Sequence, residues 1–133
     1  MNTITHLETQ LMTIAFWIVA GLAAIAFFGA GLMKLIRPVP ALKEAGMGWV
    51  EDYSNTTVKL IALAEVVGAI GLVLPIATRI APALSPVAGL ALTVIMAGAI
   101  AVHVRRKESP IAAIVLTALP LAAAILGFIL VFS

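Results

Sequence analysis

Glu65 stands inside the apolar run 58–74 and is the sole acidic residue in the four long apolar stretches of this 133-residue chain. A charged carboxylate at bilayer depth costs roughly 2.5 kcal/mol or more to insert, so such a residue marks a functional site and calls for a partner. Three other side chains can reach the same depth if successive apolar stretches cross a membrane in alternating directions. Lys34 closes the first stretch, His103 closes the third, and Thr117 lies early in the fourth. Glu65 sits about seven residues, or ~10 Å, inside the end it shares with them. An ammonium, a carboxylate, an imidazole and a hydroxyl at one end of a bundle can form an ion pair with further hydrogen-bond partners. Glu65 and His103 together could also move protons, as an isomerase requires.

The elements that would position these groups are four apolar segments, at about 11–36, 58–74, 82–104 and 110–132. Each is close to the ~20 residues that span a hydrocarbon core. Composition agrees, with 63% hydrophobic and 11% charged residues against about 45–50% and 25% in an ordinary soluble domain. The expected fold is all-α: a single four-helix transmembrane bundle over 1–133, up-down-up-down. Segment 11–36 is too long for a signal-peptide core and its flank holds Glu8 without Lys or Arg, so it is expected to stay in the membrane. Lys34, Arg37, Lys43, Lys59, Arg105, Arg106 and Lys107 gather at one end, with Arg79 alone at the other. The positive-inside rule makes the first end cytoplasmic and puts both termini on the non-cytoplasmic side. The basic residues are thus accounted for as membrane anchors, which excludes nucleic acid as a partner.

Pro38 and Pro40 should stop the first helix, and Leu74-Pro75 should end the second. Pro120 predicts a kink in the fourth. The connection 39–57 carries Trp49 and Tyr53, which suit the headgroup layer, so it is expected to lie along the membrane surface, with Asn55-Thr56-Thr57 capping the next helix. The chain has no cysteine, which excludes disulfides, thiol chemistry and Cys-ligated metals. No metal site is expected.

Helical spacing puts Ala62, Gly68, Ala69 and Leu72 beside Glu65, Phe27, Ala30 and Gly31 beside Lys34, and Leu92, Met96 and Ala99 beside His103. Small neighbours permit close helix approach, so these faces should turn inward. Each residue also has a plainer reading. Lys34 can snorkel to the headgroups, His103 can be interfacial, and Glu65 can be a clamp between helices. Gly29, Gly31, Gly68 and Gly71 suit packing, and Met96 suits a core. A hydrophobic ligand held in the bundle would touch Phe27, Phe28, Gly31, Gly68 and Met96, with its polar head near Lys34, Glu65 and His103.

The strings Phe28-Gly29-Ala30-Gly31-Leu32-Met33-Lys34-Leu35, Glu65-Val66-Val67-Gly68-Ala69-Ile70-Gly71-Leu72-Val73-Leu74-Pro75, and Pro86-Val87-Ala88-Gly89-Leu90 leading to His103 resemble the DoxX-like family of small four-helix membrane proteins. The resemblance covers roughly 16–106. It implies a bacterial plasma-membrane protein related to subunits of redox complexes, such as that of a thiosulfate:quinone oxidoreductase. Thiol chemistry seen in similar quinone-reducing proteins does not carry over to a chain without cysteine. The leading expectation is an accessory or assembly subunit, docked on another membrane protein or on copies of itself and not an enzyme on its own. The alternatives are a binder of a quinone or other hydrophobic small molecule, and an isomerase-like enzyme using Glu65 and His103.

Overall fold

A computed structural model describes residues 3–133. Its elements are α1 (Thr3–Ile36), the short α2 (Val39–Glu44), a 3-10 turn (Gly48–Asp52), α3 (Asn55–Thr78), α4 (Leu84–Arg105) and α5 (Ile111–Phe132). The helices α1, α3, α4 and α5 are each long and apolar enough to cross a membrane. They form a ring in which α1 packs on α3, α3 on α4, α4 on α5 and α5 back on α1.

The inward stripe of α1 is Phe16, Ala20, Ala23, Phe27, Gly31 and Lys34, a three-and-four spacing that keeps one side of a helix turned to its neighbours. Along α3 the matching stripe is Val58, Ala62, Glu65, Gly68, Ala69, Leu72 and Pro75. Large residues such as Leu22, Ile25, Leu63, Val67, Val94 and Val115 point outward. Small inside and large outside is the pattern of a bundle solvated by lipid, where close backbone approach replaces a hydrophobic driving force. Each seam has its glycine. A Cβ added at Gly31 would lie 2.8 Å from the Ala62 carbonyl oxygen, and one at Gly68 would lie 2.7 Å from Leu92. One at Gly89 would lie 2.9 Å from the Pro120 carbonyl oxygen, and one at Gly127 would lie 3.3 Å from the Phe16 ring. Ser85, fully buried, ties α4 to α3 by donating to the Leu72 carbonyl at 2.7 Å.

Several boundaries differ from those read in the sequence. Helix α1 begins at Thr3, because nothing in its polar first turns breaks the helix, and Thr9 and Thr13 return their hydroxyls to the carbonyls of Thr5 and Thr9. Helix α3 runs through Pro75 to Thr78 and stops at Arg79 in the left-handed region, φ 60. Pro75 withholds an amide only from the Gly71 carbonyl, and the helix continues past it to its last turn, where the Thr78 hydroxyl donates to the Leu74 carbonyl at 2.6 Å. Helix α5 likewise continues through the buried Pro120. The cap of α3 is Ser54, whose hydroxyl accepts from the Thr57 amide at 3.1 Å, one residue before the expected Asn55. Pro38 and Pro40 do end α1, and together they also start α2.

Candidate functional site

At the basic end the connection 39–57 packs against the end of the bundle. Leu42, Val50 and Val58 form a small buried core of their own, with Met33, Met47, Trp49 and Tyr53 packed on it. This folds α2 and the 3-10 turn inward, so that Trp49 and Tyr53 become half-buried and stack edge to face at 6.0 Å. The segment forms a lid over the end of the bundle.

Beneath it Lys34 Nζ donates to Glu65 Oε1 at 2.6 Å, with the two side chains 11% and 4% exposed. Neither charge could sit there unpaired, because burial without a partner costs each several kcal/mol. Lys34 Nζ also lies 5.7 Å from the Trp49 ring centroid, in range of a cation–π attraction. Lys59 completes the corner by donating to the carbonyls of Lys34 and Arg37, the latter at 2.6 Å, which satisfies the free end of α1.

The pair borders a cavity of ≈ 540 Å³ between the four long helices and the lid. Phe27 and Ala30 of α1, Glu65 of α3, Met96, Ala99 and His103 of α4, Ala113 of α5, and Trp49 and Tyr53 of the lid all face it. Among the described residues every buried side-chain nitrogen or oxygen has a partner. The bond to Lys34 engages Oε1 of Glu65, and the same residue lines the cavity. A second depression of ≈ 670 Å³ lies outside the lid, by Arg37 and Lys59. It is shallow and open, and holds none of the expected site residues.

The expected residues divide. Lys34, Glu65, His103, Phe27 and Met96 border the cavity. His103 nevertheless turns its ring to Glu108, with Nδ1 2.8 Å from Oε2, and makes no bond to Glu65. The cause is local: α4 ends with Lys107 in the left-handed region (φ 58), the Glu108 amide donates back to the His103 carbonyl at 2.9 Å, and Glu108 is folded onto its own helix. Thr117 donates to the Ala113 carbonyl at 2.6 Å, its own helix outcompeting a more distant partner. Phe28 points outward, 41% exposed, since it follows Phe27 by one residue and a helix turns 100° per residue. Gly31 and Gly68 lie in helix seams and not on the cavity, and Gly29 faces outward with open space around it.

Trp49, Tyr53, Met47 and Lys59 were missed. The available signal was Gly46-Met47-Gly48-Trp49 between two helices on the side of Lys34. Arg106 was read only as an anchor, yet its guanidinium bonds Asp52 and Glu108 and approaches Glu51 at 3.5 Å. Those bonds raise its pKa above the ordinary arginine value. The Glu108 carboxyl is lowered by Arg106 and then His103, and that of Glu51 by Lys43 first and Arg106 next. Arg106 thereby fastens the end of α4 to the lid.

Four apolar helices ringed around a polar-cornered cavity define a small polytopic membrane protein with an internal cavity. The chain belongs to the DoxX-like family, which it matches over residues 18–130. No curated protein and no solved structure is significantly similar to it.

Proposed function

We propose that this protein binds a neutral, lipid-soluble small molecule in the cavity under the lid, with a quinone or quinol as the type of head that fits. The ≈ 540 Å³ cavity carries this reading; it falls in the ~300–1,000 Å³ range of small-molecule sites, which are apolar with a few convergent polar groups. Lys34 and Glu65 neutralise each other, so a charged head would meet no net attraction from them. A neutral head can accept from the Lys34 ammonium and donate to the Glu65 carboxylate. Phe27, Met96 and the alanines then receive an apolar tail.

The accessory-subunit expectation rests on chain length and on apolar helix faces that lipid alone explains, so the cavity takes precedence. The isomerase reading draws no support from a direct bond between its two groups, since Lys34 engages Glu65 and Glu108 engages His103. We place the basic end on the cytoplasmic side. Since the chain has no cysteine, Ser109→Cys should react with an impermeant maleimide only after cells are opened, and Ser133→Cys before; the reverse pattern would invert the topology.

Protein extracted in mild detergent should carry a neutral lipid-soluble compound near one per chain, identified by mass spectrometry of the organic extract. Recovery of bulk phospholipid alone from parent protein, with no saturable uptake of an added decyl-benzoquinone, would sink the proposal.

A further inference from the structure

The cavity is bordered by exposed residues on more than one side, and its approaches differ in how they are closed. Towards the aqueous end it is roofed by Met47 and Trp49, on a lid whose 3-10 turn is held by Arg106 through Asp52 and Glu51. Gly48 of that turn lies so near the guanidinium that a Cβ there would be 2.9 Å from Nη2. The sideways approach is different. Helices α3 and α4 meet tightly at Gly71 with Ala88 and at Gly68 with Leu92. Past Leu92 the cavity lining passes to the outward side of α4, where Val94, Gly98 and Ala101 border the cavity and are also exposed, Val94 by 71%. Across from them stand Ile61 and Glu65, on the side of α3 that continues Gly68 and Leu72. A residue that belongs to both a cavity wall and the outer surface marks a mouth of the cavity; Ala112 and Leu116 of α5 are also of this kind, but they carry side chains there where Gly98 has none. Gly98 lies seven residues before Arg105, ~10 Å along the helix, and therefore within the hydrocarbon layer.

Resting on the binding reading above, we infer that the ligand enters and leaves sideways from the bilayer, through a window between α3 and α4 at Gly98, and that Glu65 stands at the inner edge of that window. The space beside Gly98 is open: a Cβ there meets nothing within 4 Å. The site therefore draws on molecules already dissolved in the membrane, and water-soluble compounds of like head chemistry are excluded by the latched lid.

The test uses full-length protein in phosphatidylcholine vesicles with Trp17→Phe, so that Trp49, which faces the cavity, is the single reporter. A decyl-substituted benzoquinone added through donor vesicles should quench Trp49 saturably. Gly98→Phe should slow the approach to saturation by about tenfold or more, Gly98→Ala should keep the parent rate, and Arg106→Gln should not accelerate it. Ala101→Phe is a second block, and retained helical circular dichroism with unchanged Trp49 emission before probe is added certifies each variant. Parent-like rates in both folded blocking variants, or acceleration by Arg106→Gln alone, would overturn the sideways route while leaving binding intact. Absence of saturable quenching in the parent would instead remove the binding reading, and this inference with it.

Discussion

Removing one charge of the buried pair should harm the protein more than removing both. At 2.6 Å, two unit charges attract by about 6 kcal/mol at an effective dielectric of ~20, and desolvating each ion costs several kcal/mol, so the two nearly offset. Lys34→Met keeps the Glu65 carboxylate buried, 3% exposed, with no counter-charge, and should cost about 3–5 kcal/mol. Glu65→Gln retains an oxygen to accept from Lys34 and should cost less, about 1.5–3 kcal/mol. The double variant Lys34→Met/Glu65→Met fills the same space with apolar atoms and should lie within about 1 kcal/mol of the parent. Reversible unfolding in mixed micelles, titrated with sodium dodecyl sulfate, supplies the double-mutant cycle. Additive single effects, or a Lys34→Met loss below about 1 kcal/mol, would refute the reasoning. The same proteins separate clamp from site. A double variant as stable as the parent that no longer takes up decyl-benzoquinone shows the pair to be held for ligand, whereas a destabilised double variant with unimpaired uptake would show it to be a clamp.

Gly31→Ala should destabilise by about 1–3 kcal/mol through the clash with Ala62, while Gly29→Ala, with open space around it, should stay within about 0.5 kcal/mol; the micelle titration reads both. Ala99→Leu, on the cavity wall, should raise stability by about 0.5–2 kcal/mol by filling space and abolish probe binding, so a destabilised variant would show that the space does not accept a side chain. The lid should respond to acid in a defined window. Glu51 and Glu108 are lowered below the ordinary 4.5, so their contribution is complete above that value and is lost as pH falls through the depressed pKa values. Trp49 emission should stay flat as pH falls from about 7 towards 4.5 and change only below 4.5, and Arg106→Gln should remove the acid transition; a transition near neutrality would contradict the latch.

The four spans were legible because a membrane helix announces itself by length and apolar content alone. The stripe holding Lys34 and Glu65 was legible as well, since helical periodicity fixes which residues share a side and alternating direction fixes their depth. What escaped depended on contacts between distant segments. Trp49 and Tyr53 have a membrane-surface signature whether they face headgroups or a cavity, and what turns them inward is the small core of Leu42, Val50 and Val58. His103 borders the cavity, but Glu108, folded back by the left-handed Lys107, takes its ring. Nothing in the order of residues tied Arg106 to Asp52, 54 positions apart.

The deepest ambiguity concerns the small residues. Gly68 and Gly98 look alike in a sequence, each a glycine in an apolar helix, yet Gly68 draws α4 against α3 and Gly98 leaves the wall of a cavity bare. A small residue closes a seam only where a neighbour arrives to meet it; where none does, it makes space. Around Glu65 both happen within one turn of helix. Gly68 and Ala69 are buried in packing, while Glu65 itself looks across a gap at Ala99 and Gly98. A clamp between α1 and α3 gains nothing from that gap, since Gly31 against Ala62 already joins those two helices and the opening lies on the other side of α3. The gap is explained if Glu65 holds Lys34 with one oxygen and offers the other to a visitor. A single carboxylate then serves both of the readings that its sequence position left open.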